Sequence, residues 1–224
     1  MGLERMIFLV ILTTFALSFR VLARETVWDA ARIAHELIED SVDAVATMAT
    51  IYPSNHSISP NEPFALQEYY ASCYHNGSLT LLFLPISRHS QNILQSPHRA
   101  ASITIASQNP AAKKPRIALV GNVTIFRDRR AADEAAIKRC YLAKHPDARW
   151  WLPDDDDAAH LSYWARFDPQ TVYFVGGFGD KHYIGYIPLE IFRNTSLASN
   201  SIYESEHNSE YSSTLPQVLI EQDY

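Results

Sequence analysis

The stretch that decides the fold runs from Leu79 to Gln108 and reads LTLLFLP-ISRHSQNILQSP-HRAASITIASQ. It opens with a compact apolar run that is typical of a buried strand. A short polar piece follows, with apolar residues at helical spacing, and the last part is again strand-like. Pro85 and Pro97 punctuate the two junctions. The pattern predicts a strand, one helical crossover and a second strand.

Upstream of this stretch, the sequence predicts a helix and two strands. Apolar residues at i, i+3, i+4, i+7 and i+8 predict an amphipathic helix over Thr26–Asp40, capped by Thr26 or Asp29. Strands are predicted over Val42–Ile51 and Pro63–Cys73. Asn76-Gly77 lies between apolar runs and is a strong hairpin signal into Leu79.

Downstream, the long β-branched run Ile117–Phe126 predicts a central strand that is buried on both faces. A helix is predicted over Arg129–His145, ended by Pro146. Two short strands, Tyr163–Phe167 and Thr171–Val175, are expected on either side of a turn at Asp168-Pro169. The chain then reads Gly176-Gly177-Phe178-Gly179 and, further on, Ile187-Pro188-Leu189-Glu190.

The first residues have the composition of a secretory leader. Arg5 precedes an apolar run of 14 residues, Met6–Phe19, which is shorter than the roughly 20 residues of a membrane span. Val21-Leu22-Ala23 supplies the small residues that signal peptidase needs. We therefore predict a signal peptide over 1–23, no stable membrane insertion, one domain over 24–193, and a disordered Ser- and Glu-rich tail over 194–224.

The charge of the chain argues against nucleic acid as a partner. Removing residues 1–23 takes away Arg5, Arg20 and Glu4 and leaves 17 basic and 24 acidic residues, a net charge of −7. Affinity for nucleic acid comes largely from Lys and Arg that neutralise phosphates, and an acidic chain has too few of them.

Four Asn-x-Ser/Thr triplets point to N-glycosylation in the secretory pathway. They begin at Asn55, Asn76, Asn122 and Asn194, and chance would give only one or two. The first two and the last lie in turn-like surroundings, whereas Asn122 lies in a strand pattern. The two cysteines, Cys73 and Cys140, are compatible with one disulfide or with two unpaired thiols.

Several ordered motifs between Trp28 and Phe192 resemble the CREG-like (cellular repressor) family of the FMN-binding split-barrel, or pyridoxamine 5'-phosphate oxidase-like, superfamily. These are the Ala44-Val-Ala-Thr47 strand, the helix with Ser87 and Asn92, the His145-Pro146 pair and Gly176–Gly179. The resemblance implies a mainly β (α+β) fold: a split β-barrel of about six antiparallel strands with flanking helices. It also implies a homodimer, because the superfamily pairs two barrels around a cofactor cleft.

The residues at which flavin-binding relatives hold the cofactor phosphate are only partly retained. Ser87, Arg88, His89 and Asn92 are the candidate cofactor-binding residues, and Ser87-Arg88-His89 stands where flavoenzymes carry Ser-Arg-Lys. The neighbouring strand, Phe64–Tyr70, lacks the usual bases and contains Glu68, whose carboxylate would repel a phosphate. We therefore expect no cofactor, with FMN as the alternative.

Haem is a second alternative, suggested by the resemblance of Gly176–Gly179 to a motif of haem-utilisation split-barrel proteins, with His182 or another of the nine histidines as axial ligand. No metal site is predicted, because the Asp154–Asp157 run lacks the alternation of a calcium loop.

The sequence thus predicts a secreted or vacuolar-lysosomal N-glycosylated CREG-like protein that acts as a non-catalytic binding or regulatory module. Its expected partners are a second copy and a protein or glycan receptor. The competing hypothesis is an FMN-dependent oxidoreductase of the pyridoxamine-phosphate-oxidase type, or a haem-binding split barrel.

Overall fold

The computed structural model describes residues 24–127, 134–153, 155, 158 and 160–195. The predicted signal peptide, and all but the first two residues of the predicted tail, lie outside the described residues.

Seven strands and four α-helices make up the described part of the chain. The helices are α1 (Val27–Glu39), α2 (Arg88–Gln95), α3 (Glu134–Lys144) and α4 (189–195), and a 3-10 turn follows α3 at Pro146–Trp150. The strands are β1 (Val45–Ile51), β2 (Pro63–Ala71), β3 (Leu79–Phe83), β4 (Ala100–Ala106), β5 (Arg116–Phe126), β6 (Tyr163–Val175) and β7 (Ile184–Ile187).

The sheet closes into an antiparallel barrel. The strand order is β3-β2-β1-β4-β5-β6-β7, and a further pairing of β3 with β6 closes the first six strands on themselves. β7 is added to the edge of β6, where Tyr173 pairs with Tyr186. This confirms the predicted barrel of about six antiparallel strands with flanking helices.

One apolar core fills the barrel and extends under α1. Alternate residues of the strands point inward, and Met48, Leu119 and Phe167 are among the fully buried ones. α1 packs on this core through Ala30, Ala31, Ala34 and Ile38, as its apolar spacing predicts. The predicted cap is also present: Thr26 and Asp29 form a reciprocal capping box at the first turn.

The prediction for β6 is wrong. A single strand replaces the two predicted ones, and Asp168-Pro169 lies inside it, opposite Asn122 and Gly121. The register with β5 shifts between Val120 and Gly121, so that Gln170 is the extra residue of a β-bulge. A bulge accommodates a proline, which cannot donate to the ladder.

β5 also differs from its prediction. It has neighbours on both edges, β4 and β6, but its residues alternate between buried and accessible, so only one of its faces is covered. The outer face of the sheet at β5 is therefore open to solvent.

α3 forms a second, smaller core on the outside of the barrel. Ile137 and Tyr141 pack there against Leu82, Trp164 and Leu152. Cys73 and Cys140, whose state the sequence left open, are joined by a disulfide that ties α3 to the segment after β2, with Cα atoms 5.9 Å apart. The bond closes a loop of 67 residues, a length for which a disulfide stabilises a fold by about 2–4 kcal/mol.

Candidate functional site

Two places in the structure gather the candidate functional residues: the start of α2 and the corner where the N-terminal segment meets the residues after β6. At the first, Ser87 is the N-cap of α2. Its Oγ accepts a hydrogen bond from Ser90 N (3.1 Å) and donates one to Ser90 Oγ (2.9 Å). The hydroxyl predicted to bind phosphate is therefore used in capping the helix.

Arg88 is half-buried and lies over the ring of Tyr52, with Cζ 5.5 Å from the ring centroid. Such a cation–π contact holds the guanidinium against the 52–61 loop. The strand that supplies bases in flavin-binding relatives contributes none here, because β2 contains no Lys or Arg. A dianionic phosphate needs several converging donors, and Arg88 alone does not provide them.

His89 and Asn92 are brought together around Thr50. Thr50 Oγ1 lies 3.1 Å from His89 Nδ1 and accepts a hydrogen bond from Asn92 Nδ2 at 3.0 Å. All three side chains are buried, and burial lowers the pKa of His89. Ser87 and Arg88 point elsewhere, so the four predicted residues do not form one phosphate site.

Glu68 lies on β2, opposite Ala46 of β1. Burial raises the pKa of its carboxyl to about 7, although a hydrogen bond from Tyr69 N to Oε1 (3.1 Å) opposes the shift. A carboxyl that ionises here at neutral pH adds negative charge to a strand that already lacks bases. The residues present do not fit a flavin phosphate.

The second site pairs Glu25 with His182, which are 157 residues apart in sequence. His182 Nδ1 lies 3.0 Å from Glu25 Oε2, which also accepts a hydrogen bond from Tyr183 N (3.3 Å). Glu25 N donates to Lys181 O at 2.8 Å. The carboxylate is 10% exposed, and the imidazole is 43% exposed. An ionised carboxylate can only accept, so Nδ1 carries the proton and Nε2 of the neutral ring keeps its lone pair.

The adjacent glycines make room for this pair. A Cβ on Gly176 would lie 2.6 Å from Glu25 Oε2, and one on Gly177 would lie 3.1 Å from His182 Cδ2 and 2.8 Å from Lys113 O. Glu25 Oε1 is buried and has no hydrogen-bond partner. The sequence pointed to the glycines and left His182 as one of nine possible ligands, but it gave no signal for Glu25, whose role depends on a contact between the two ends of the domain.

The four sequon asparagines, Asn55, Asn76, Asn122 and Asn194, are all exposed. Asn55 and Asn76 lie in loops, and Asn76 Oδ1 accepts a hydrogen bond from Ser78 N at 3.1 Å. Asn122 lies on the uncovered face of β5, as its strand pattern predicts.

The described part of the chain shows neither a cluster of metal ligands nor a membrane-spanning helix. Among the described residues, no group of three or more His, Cys, Asp or Glu side chains is placed to hold a metal ion, and Asp154, Asp156 and Asp157 lie outside them. None of the described helices combines the length and the apolar character that crossing a bilayer requires.

The profile of the CREG beta-barrel family matches residues 25–194, which is most of the chain. The chain belongs to the CREG beta-barrel family. The match begins at Glu25 and ends within α4, and so includes both sites described above.

One curated relative is the chloroplastic non-canonical heme oxygenase HOZ of Arabidopsis thaliana, which is 30% identical over 106 residues. The match covers 47% of this chain and 30% of HOZ, so the chain corresponds to less than a third of that relative's length.

Solved structures share the barrel. A heme binding protein from Mycobacterium smegmatis superposes with a TM-score of 0.55 at 20% identity, covering 77% of this chain and 62% of that one. A protein of unknown function from Agrobacterium tumefaciens superposes with a TM-score of 0.50 at 19% identity, covering 68% and 58%. At these identities the likeness establishes the split-barrel fold.

These comparisons correct the prediction that the chain takes no cofactor. That prediction rested on the missing phosphate-binding bases, which bear on flavin alone. A relative that is a heme oxygenase and a structural neighbour that binds heme contradict it. The missing bases argue against a flavin phosphate. The Glu25–His182 site instead offers a histidine that a carboxylate orients.

Replacing Glu68 with Gln tests the environment of β2 through the pH dependence of stability. Because the folded pKa is raised from 4.5 to about 7, the folded state binds the proton more tightly than the unfolded state does. The contribution of Glu68 is complete below pH 4.5 and is lost as the pH rises to about 7, by up to about 3 kcal/mol.

Urea denaturation at pH 4.5, 6 and 8 measures this effect as the difference between wild type and Glu68→Gln. That difference cancels the opposing contributions of His35 and His89, whose pKa values burial lowers. We expect the variant to gain stability relative to wild type as the pH rises. A difference that stays constant from pH 4.5 to 8 would show that Glu68 is solvated.

Proposed function

We propose that this chain is a secreted or vacuolar N-glycosylated protein of the CREG family that acts as a binding module, and that its ligand is a planar tetrapyrrole of the haem class. The observation that carries the ligand assignment is the Glu25–His182 pair. A histidine that ligates a metal commonly donates its other ring N–H to a carboxylate, which fixes the tautomer and orients the ring.

The residues around this pair fit a haem. His182 Nε2 would ligate the haem iron, and Glu25 would hold the imidazole in place through Nδ1. Exposed Phe178 (67%) lies shortly before His182 in sequence and offers apolar surface to a macrocycle. Lys113 and Lys181 are exposed nearby and could pair with propionates. When bound, haem supplies an iron centre that accepts an axial nitrogen ligand.

The residues present favour binding over turnover. The described residues near His182 supply a ligand, a carboxylate that orients it and two lysines. The alternative of an FMN-dependent oxidoreductase is disfavoured by the capped Ser87, the Tyr52-bound Arg88 and the base-free β2.

A second copy of this chain is the proposed protein partner. The uncovered face of the barrel carries Val120, Tyr173, Ile184 and Tyr186 on three neighbouring strands, all at least 38% exposed. Apolar patches of this kind commonly mark protein interfaces, and a two-fold axis lets one patch cover its own copy. A receptor that recognises the protein or its glycans remains the proposed second partner.

Secretion and glycosylation are supported by the leader-like residues 1–23 and by the exposure of all four sequon asparagines. The full chain, expressed with its own leader in a eukaryotic host, should appear in the medium or the vacuole. Peptide-N-glycosidase should increase its gel mobility, and a variant with all four asparagines replaced by Gln should show no such change. A wild-type mobility that the enzyme does not alter would contradict the proposal.

Haem titration tests the ligand. Added haemin should give a saturable Soret band at about one haem per chain, and His182→Ala should weaken binding at least tenfold and shift the band. Glu25→Gln should have a smaller effect, because the imidazole is retained and only the negative charge behind it is lost. His98→Ala, an exposed histidine on the 96–99 loop, is the matched control and should bind as wild type does. Equal affinity in the His182 and His98 variants would overturn the assignment.

A further inference from the structure

A cavity of about 570 Å³ lies between the C-terminal half of α2 and the loop that follows β1. It is lined by uncharged side chains, four of which are carboxamides: Asn55, Asn61, Asn92 and Gln95. Its volume falls within the range of small-ligand sites. It is separate from the Glu25–His182 corner, which shares none of its lining residues.

Asn92 contributes a buried hydrogen-bond acceptor without a partner to the lining of this cavity. The residue is 1% exposed, and its Nδ2 donates to Thr50 Oγ1 at 3.0 Å. Its Oδ1 is buried and has no hydrogen-bond partner. A buried acceptor without a partner costs about 1–3 kcal/mol, a cost that a ligand O–H or N–H reaching into the cavity would remove.

The uncharged, carboxamide-rich lining favours a neutral ligand that carries hydroxyl groups. An uncharged lining gives no advantage to an ionic ligand. Carboxamides offer donors and acceptors in equal measure, which matches neighbouring hydroxyls that also donate and accept. Tyr52, Pro53 and Pro97 add apolar surface that suits the C–H face of a pyranose ring. Tyr52 is held by Arg88 on its ring and by His56 and Phe64 at its sides, so this wall is already ordered.

We propose that this cavity is a binding site for a neutral saccharide, in which Asn92 Oδ1 accepts a hydrogen bond from the sugar. The sugar has two sources with the same chemistry. One is the innermost part of a glycan attached to Asn55, which is itself a lining residue and a sequon asparagine. The other is a free saccharide or a glycan of another molecule. Only the first source depends on the glycosylation proposed above.

The first experiment tests the attached glycan. Site-resolved mass spectrometry follows release by peptide-N-glycosidase from the native glycoprotein at Asn55, Asn76 and Asn194. A seated sugar should make release at Asn55 at least fivefold slower than at the other two sites. Gln95→Ala should abolish this protection, and because Gln95 is exposed the variant should fold normally. Gln67→Ala, an exposed amide on β2 outside the cavity, is the matched control.

The second experiment tests the free saccharide and does not require glycosylation. Unglycosylated Asn55→Gln protein is titrated with N,N'-diacetylchitobiose and with methyl α-mannoside while amide NMR signals are recorded. Shifts confined to residues 51–61 and 92–97 should appear. Gln95→Ala should weaken binding at least threefold and Asn92→Leu at least tenfold, and Gln67→Ala should not change it.

The outcomes separate the sources. Protection at Asn55 that Gln95→Ala removes assigns the cavity to the protein's own glycan, and chitobiose binding without protection assigns it to a free or foreign saccharide. The proposal is overturned if neither protection nor binding occurs. It is also overturned if Gln95→Ala and Gln67→Ala behave alike in both experiments. Failure of glycosylation alone leaves the NMR experiment decisive.

Discussion

The long strand β6 is the constraint on which the rest of this structure depends. Tyr163–Phe167 pair with β3, and Trp164–Phe167 pair with β5 as well, and this double pairing closes the barrel. The last four residues of β6 pair with β5 and β7 instead. The bulge at Pro169-Gln170 lies between these two parts of the strand. Before the bulge β6 pairs with β3, and after it β6 pairs with β7.

The change of partner from β3 to β7 determines where the candidate ligand site lies. β6 ends at Val175, paired with Ile184 of β7, and the connection between these strands contains Gly176, Gly177 and His182. The segment before α1 runs past the same connection and brings Glu25 to it from the other end of the domain. Glu25 N donates a hydrogen bond to Lys181 O, and its carboxylate accepts one from Tyr183 N. The barrel closure thus brings a carboxylate and an imidazole together. At the start of α2, by contrast, the hydroxyl and the guanidinium are used within the protein.

Much of the fold could be predicted from local sequence. The spacing of Ala30, Ala34 and Ile38 and the Thr26 cap defined α1, and the apolar run at Leu79 defined β3, because both signals depend on near neighbours in the chain. β6 could not be predicted as one strand, since Asp168-Pro169 has the composition of a turn and only the bulge opposite Gly121 accommodates it. The prediction that β5 is buried on both faces was wrong, because a run of β-branched residues does not show whether a second layer covers the outer face of the sheet. The candidate site shows the same limit. The glycine motif suggested haem but left its ligand open among nine histidines, and the pairing of His182 with Glu25 depends on a contact that spans the domain.

The principal conclusion about the site is that Gly176 and Gly177 leave the space that Glu25 and its bound imidazole occupy. A double-mutant cycle in urea denaturation tests it most directly. Gly176→Ala should destabilise the wild-type protein by about 1–3 kcal/mol, because its Cβ would overlap the Glu25 carboxylate. In a Glu25→Ala background the same substitution should cost almost nothing. Equal costs in the two backgrounds would show that the glycine serves the backbone alone, and would contradict this account of the site.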